Sequence, residues 1–212
     1  EVKFRPFLVK EEKILLMALE SEDAGQISNS VLNIIESCVK GDDLNHLLLT
    51  STDVEYLFLK IRSKSVGEVI KLNLKCQECG SENEVSVNID DIKIESKTLP
   101  KEIQLTDSIR IEVRQPSFHQ LSQNQEITNA NTQTEQIFSL IKEVVVAVLT
   151  EEERISTKDV TKEEFQEFID SMTQDQFAKI REYIESIPRM KHNGSFCCTN
   201  CSSSNELPLE GL

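Results

Sequence analysis

Leu74-Lys75-Cys76-Gln77-Glu78-Cys79-Gly80-Ser81-Glu82-Asn83-Glu84-Val85 and Phe196-Cys197-Cys198-Thr199-Asn200-Cys201-Ser202-Ser203-Ser204-Asn205-Glu206-Leu207 are two versions of one motif. Each reads apolar residue, any residue, Cys-x-x-Cys, small residue, Ser, any residue, Asn-Glu, apolar residue. Two thiolates three positions apart at a hairpin tip can bind one ion, and two such tips supply the four sulfurs of a closed tetrahedral zinc site. Cys76, Cys79, Cys198 and Cys201 are therefore the expected ligands of one structural Zn2+.

The pairs of an ordinary zinc ribbon stand about 15–20 residues apart, and here far more of the chain intervenes. Two separate redox pairs, or coincidence, are the competing readings. A redox Cys-x-x-Cys opens a helix that lowers a thiol pKa, whereas both pairs here lie between alternating, strand-like segments, which favours the shared site. Cys197 occupies the place of Lys75 in the first copy and is read as pointing away. Cys197 and His192 are the two candidates to replace a ligand.

With 212 residues, 38% hydrophobic and 28% charged, the chain has the composition of a soluble globular protein that can bury a real core. Its net charge of −14 argues against a phosphate backbone as partner and for proteins instead. No apolar run is long enough to span a bilayer, and no secretory apolar core is expected at the start. Because the first residue is Glu1 rather than Met, a short omitted start is expected. Six cysteines, four of them in metal-type pairs, suit a reducing cytoplasm.

Periodicity predicts a helix near Val9–Ser21 that is apolar around much of its circumference, hence buried on more than one side. A second helix follows near Gln26–Lys40 with Cys38 on its core face, then a turn at Gly41-Asp42-Asp43. Thr52-x-x-Glu55 has the spelling of a capping box for a third helix, and His46 is read as a surface or half-buried residue. Ile70, Leu72 and Leu74, then Val85, Val87 and Ile89, alternate as the two arms of a hairpin; strands at 103–105 and 109–113 follow. Gln115-Pro-Ser117 starts a short helix, and the polar stretch Ser122–Thr134 is expected as a loop. Thr134–Leu149 reads as one strongly apolar helix, central to the core or in part facing another subunit, with the core the better reading. The acidic Glu151-Glu152-Glu153 reads as a solvated loop. Thr161 and Thr173 should cap two further helices before the second cysteine hairpin.

The expected class is α+β, with helices flanking antiparallel hairpins and the two knuckles joining the middle of the chain to its C-terminus. Residues 1–66 and 116–190 form its helical parts, 67–115 the hairpins with the first knuckle, and 191–212 the second knuckle packed on the first, within one compact domain.

No Gly-rich phosphate loop, Gly-x-Ser-x-Gly elbow or His-Glu-x-x-His occurs, and His46, His119 and His192 are scattered. The reading is a non-enzymatic, protein-binding chain, with a zinc-ribbon regulator of nucleic acid or the transcription machinery as the alternative. Phe4-Arg-Pro-Phe7 with Lys10-Glu-Glu-Lys-Ile-Leu-Leu-Met17, the helix bearing Asn33-Ile-Ile-Glu-Ser-Cys38, and the strand into Leu74-Lys-Cys76-Gln-Glu-Cys79-Gly80 resemble the baseplate hub assembly proteins of T4-like contractile-tailed bacteriophages. The likeness covers about the first ninety residues well and the remainder by length and helical character. It implies a phage protein made late in infection, acting in the host cytoplasm as a chaperone-like factor or component of the hub, with other tail and baseplate proteins as partners. The finished tail is the other location it implies.

In an anisotropy titration at physiological salt, micromolar duplex DNA should give no binding, because the chain lacks the cationic surface that drives non-specific association. Micromolar or tighter affinity would overturn the exclusion of nucleic acid.

Overall fold

The structure, a computed structural model, describes residues 2–41, 45–95, 98–128 and 132–210. In chain order the elements are β1 (Lys3–Phe4), α1 (Val9–Glu20), α2 (Ala24–Cys38), β2 (Val39–Lys40), α3 (Ser51–Val66), β3 (Val69–Lys75), β4 (Glu82–Asn88), β5 (Lys93–Glu95), β6 (Glu102–Gln104), β7 (Arg110–Val113), α4 (Phe118–Gln123), α5 (Gln125–Thr128), α6 (Gln133–Val144), β8 (Val145–Leu149), β9 (Arg154–Ser156), α7 (Lys162–Asp170), α8 (Gln174–Glu185), β10 (Arg189–Cys197) and β11 (Ser204–Glu210). Helices with small antiparallel sheets make this an α+β protein, and the two cysteine pairs meet. The chain forms two compact units, Glu1–Glu95 with Pro188–Leu212, and Ser96–Ile187.

In the first unit α2 is the central helix. Val31, Leu32, Ile34, Ile35 and Cys38 are all buried, and Val54 and Ile61 of α3 add fully buried side chains. Each such side chain contributes about 1.5–3 kcal/mol of burial. Cys38 is thus a small core hydrophobe, its thiol pushed up by burial. The α1 helix departs from expectation. Only Glu11 and Ala18 are buried, while Val9, Ile14, Leu16, Met17 and Leu19 are exposed. Apolar residues all round its circumference do not mean contact all round. The helix packs one narrow face on α2 and leaves the others open.

Glu11 explains how a carboxylate can sit in that narrow face. Its two oxygens accept from the Leu8 backbone N–H at 2.7 Å and from Arg5 at 2.9 Å, which caps the helix and pairs the charge. The cap of α3 also differs from its sequence spelling. Thr50, not Thr52, accepts from the Asp53 backbone, and buried Thr52 donates to the Pro188 carbonyl at 2.6 Å. Gly67 ends α3 with φ 109°, a conformation that favours glycine. Three antiparallel residue pairs then join β5 to β10, bringing the returning chain into the unit.

The second unit is built on an antiparallel sheet of order β6-β7-β8-β9. Here the apolar run after Thr134 is corrected. The helix ends at Val144 and residues 145–149 are β8, paired on both sides, with Val145 1% and Ala147 0% exposed. Val-Val-Ala-Val-Leu is rich in β-branched valine and suited to an inner strand, so the excess apolar width belongs to a sheet. Ile111, Val113, Ile141, Val144, Phe165, Ile180 and Ile184 close the core over it. Thr161 and Thr173 cap α7 and α8 as expected.

The expected loop at Ser122–Thr134 is mostly helical instead, with α4 reaching Gln123, α5 at Gln125–Thr128 and α6 starting at Gln133; its residues 129–131 lie outside the described residues, as do Asp42 and Asp43 of the expected turn. Glu151–Glu153 is the exposed turn between β8 and β9.

Arg5 and the Leu8 N–H hold the Glu11 carboxyl at about 2, well below the usual carboxylate range. A depressed folded-state value stabilises fully above the ordinary carboxylate range and is lost as pH falls towards the folded value. Urea unfolding of the parent and of Glu11→Gln should therefore show a stability difference that is largest at neutral pH and shrinks between about pH 4.5 and 2. An equal difference at pH 7 and pH 3 would remove Glu11 as the cause.

Candidate metal centre

The β3–β4 and β10–β11 hairpins each keep seven residue pairs in register and end in the same tip. In the first, the Cys76 N–H donates to the Ser81 carbonyl at 2.9 Å and the Gly80 N–H to the Cys76 carbonyl at 2.9 Å; in the second, the Cys198 N–H reaches Ser203 at 2.8 Å and the Ser202 N–H reaches Cys198 at 2.9 Å. Both tips need one left-handed residue after the second cysteine. Gly80 (φ 72°) supplies it freely, while Ser202 (φ 59°) adopts it against its Cβ.

The four sulfurs of Cys76, Cys79, Cys198 and Cys201 lie within 4.8 Å of one another, a group that can hold a metal ion. Cys76 Sγ stands 3.7 Å from Cys201 Sγ, and Cys79 Sγ 3.6 Å from Cys198 Sγ. A disulfide would need about 2.0 Å, so these are not bonded pairs. A tetrahedron with zinc–sulfur bonds of about 2.3 Å has edges of about 3.8 Å, which the two contacts match. Within each pair the first sulfur's residue is buried and the second exposed.

The tips are also locked to each other by reciprocal hydrogen bonds. Asn83 Oδ1 accepts from the Thr199 backbone N–H at 2.9 Å, and Asn205 Oδ1 accepts from the Gln77 N–H at 2.9 Å. Each asparagine thus satisfies the residue after the first cysteine of the opposite tip. The amide nitrogens complete the exchange: Asn83 Nδ2 lies 3.7 Å from Cys198 Sγ, and Asn205 Nδ2 lies 3.6 Å from Cys76 Sγ. Both asparagines are buried, at 4% and 3% exposure. The hydroxyls of Ser81 and Ser203 stand 3.0 Å from Cys79 and Cys201.

These donors favour thiolates, the form that binds metal. The Ser203 hydroxyl and the Cys79 backbone N–H hold Cys76 at about 5, and the Ser81 hydroxyl and backbone hold Cys79 at about 7. Cys201 is pulled down by Ser203, yet ends above the usual thiol range because the neighbouring sulfurs of Cys79 and Cys198, with burial, outweigh it. Such opposition between adjacent sulfurs is what a divalent cation among them would relieve.

Neither Cys197, exposed on β10, nor His192 joins the group of four. His46 is half-buried, with its Nδ1 enclosed and without a hydrogen-bond partner among the described residues. The asparagines were the part of the site not singled out by chemistry. Their signal was nevertheless present as the Asn seven positions after the first cysteine in both copies.

The family model described as T4 bacteriophage base plate protein matches the chain over residues 1–212. No curated protein and no solved structure matches it.

Asn83→Ala removes the acceptor of the Thr199 N–H and should cost about 0.5–1.5 kcal/mol in urea unfolding, with Asn205→Ala, which does the same to the Gln77 N–H, costing a similar amount. The double variant should cost less than the two single losses added together, since both belong to one network. Additive losses would mean that the two exchanges act independently.

Proposed function

The chain belongs to the T4 bacteriophage base plate protein family, and we propose that it is a non-enzymatic hub assembly or structural protein that works by docking to other tail proteins in the host cytoplasm. Its whole-length family match carries this reading. We assign the four cysteines to one structural zinc. Four thiolates close the coordination sphere, whereas a catalytic zinc keeps a position for water or substrate.

The exposed surface of α1 supports docking. Val9 is 79% exposed and Met17 60%, and Ile14, Leu16 and Leu19 extend the apolar surface along the helix. Val145, in the apolar run for which another subunit was the alternative reading, is buried in its sheet and leaves the role to α1. Among the described residues no helix is long and apolar enough to cross a membrane. An exposed apolar surface of this kind marks an interaction site.

Elemental analysis of purified protein should give one zinc per chain, and none or two would reject the shared site. A Cys76→Ser, Cys79→Ser double variant should lose stability and partner binding together. Affinity purification from infected cells should bring down tail proteins. Recovery of transcription machinery in their place would overturn the assembly role, and a cysteine variant as stable as its parent that still fails to dock would move zinc from the fold to the contact.

A further inference from the structure

A cleft of about 880 Å³ opens in the second unit, and its lining runs against the charge of the protein. Four cations, Arg114, Lys142, Lys158 and Lys162, face it with only two carboxylates, Glu126 and Glu143. The whole chain carries −14. Glu126 is shared between Lys142, at 3.2 Å, and Lys162, at 3.6 Å, so one carboxylate serves two ammonium groups. Glu143 is taken by the neutral amide of Asn124 at 2.9 Å. Arg114 and Lys158 are exposed and form no ion pair among the described residues. The floor is apolar. Val146 and Val160 are half-exposed there above buried Val145 and Phe165.

We propose that this cleft binds an acidic, apolar-bearing peptide segment of a partner protein, its carboxylates held by Arg114 and Lys158 and its apolar side chains resting on Val146 and Val160. This deepens the docking reading above and rests on it for the protein nature of the partner. A bare anion would leave the apolar floor uncovered. Nucleic acid fits less well: phosphate-backbone binding draws on many cationic contacts, whereas two of these four cations are already paired and the surrounding protein is acidic. Base stacking has little to rest on either: Phe165 is buried, which leaves half-buried His119 as the one accessible ring among the described lining residues.

The test is a fluorescence titration of the full chain with a labelled peptide of about eight alternating glutamates and leucines, beside its glutamine–leucine counterpart. The acidic peptide should bind at least tenfold tighter, and the advantage should shrink as salt rises. Arg114→Glu with Lys158→Glu should erase the difference between the peptides while leaving the thermal midpoint near the parent's, both residues being exposed. Equal binding of the two peptides by the parent overturns the proposal without recourse to any variant. Tighter binding of a single-stranded oligonucleotide than of the acidic peptide overturns the peptide assignment. In affinity purification, tail proteins recovered equally by parent and double variant overturn the cleft but leave the docking function standing, whereas tail proteins recovered by neither overturn that function itself.

Discussion

Asn83 and Asn205 exchange hydrogen bonds across two hairpin tips that lie far apart in the chain, and the first unit depends on that exchange. The unit is discontinuous, so its returning segment must be fixed by contacts rather than by connectivity. Three do this at different points: Thr52 on the Pro188 carbonyl, β5 on β10, and the paired tips. The first two are short. The tips add four sulfurs and two buried amides, and with a metal among the sulfurs they would hold the closure most strongly.

Local rules explain how much of this could be read from sequence. Duplicated residues predicted the meeting of the tips because a metal site has a fixed donor chemistry, and the alternation of Ile70, Leu72 and Leu74 predicted a strand because one face of it is half-buried and the other exposed. The boundary at Val144 was hidden because Ile141, Val144, Val145 and Val148 keep helical spacing straight through it. What stops the helix is pairing with β7 and β9, a tertiary effect absent from any local window. The cap of α3 failed for a related reason. Two threonines offered the same spelling two residues apart, and Thr52 was engaged by a carbonyl more than a hundred residues away. For α1 the hydrophobicity was legible but its destination was not, since composition shows what could be buried and only packing shows what is.

The two surfaces with the clearest recognition character lie in different units. Apolar α1 belongs to the first, and the cationic cleft in an acidic protein belongs to the second. Apolar burial supplies affinity that varies little with salt, while charge complementarity mainly sets association rate and partner choice. A protein that docks in the proposed way benefits from having both, because correct partners must be selected quickly and then held.

The order of synthesis gives the divided clasp one further meaning. Cys198 follows Cys79 by 119 residues, which at about 5–20 residues per second is a delay of roughly 6–24 s during translation. Through that interval the first hairpin displays an incomplete tip, with Gln77 waiting for its acceptor and two thiols for their counterparts. The intervening segment is contiguous and can fold in the meantime. Closure of the clasp therefore waits until the ribosome has passed through the whole second unit, and a prematurely terminated chain is left with a thiol pair that has no counterpart.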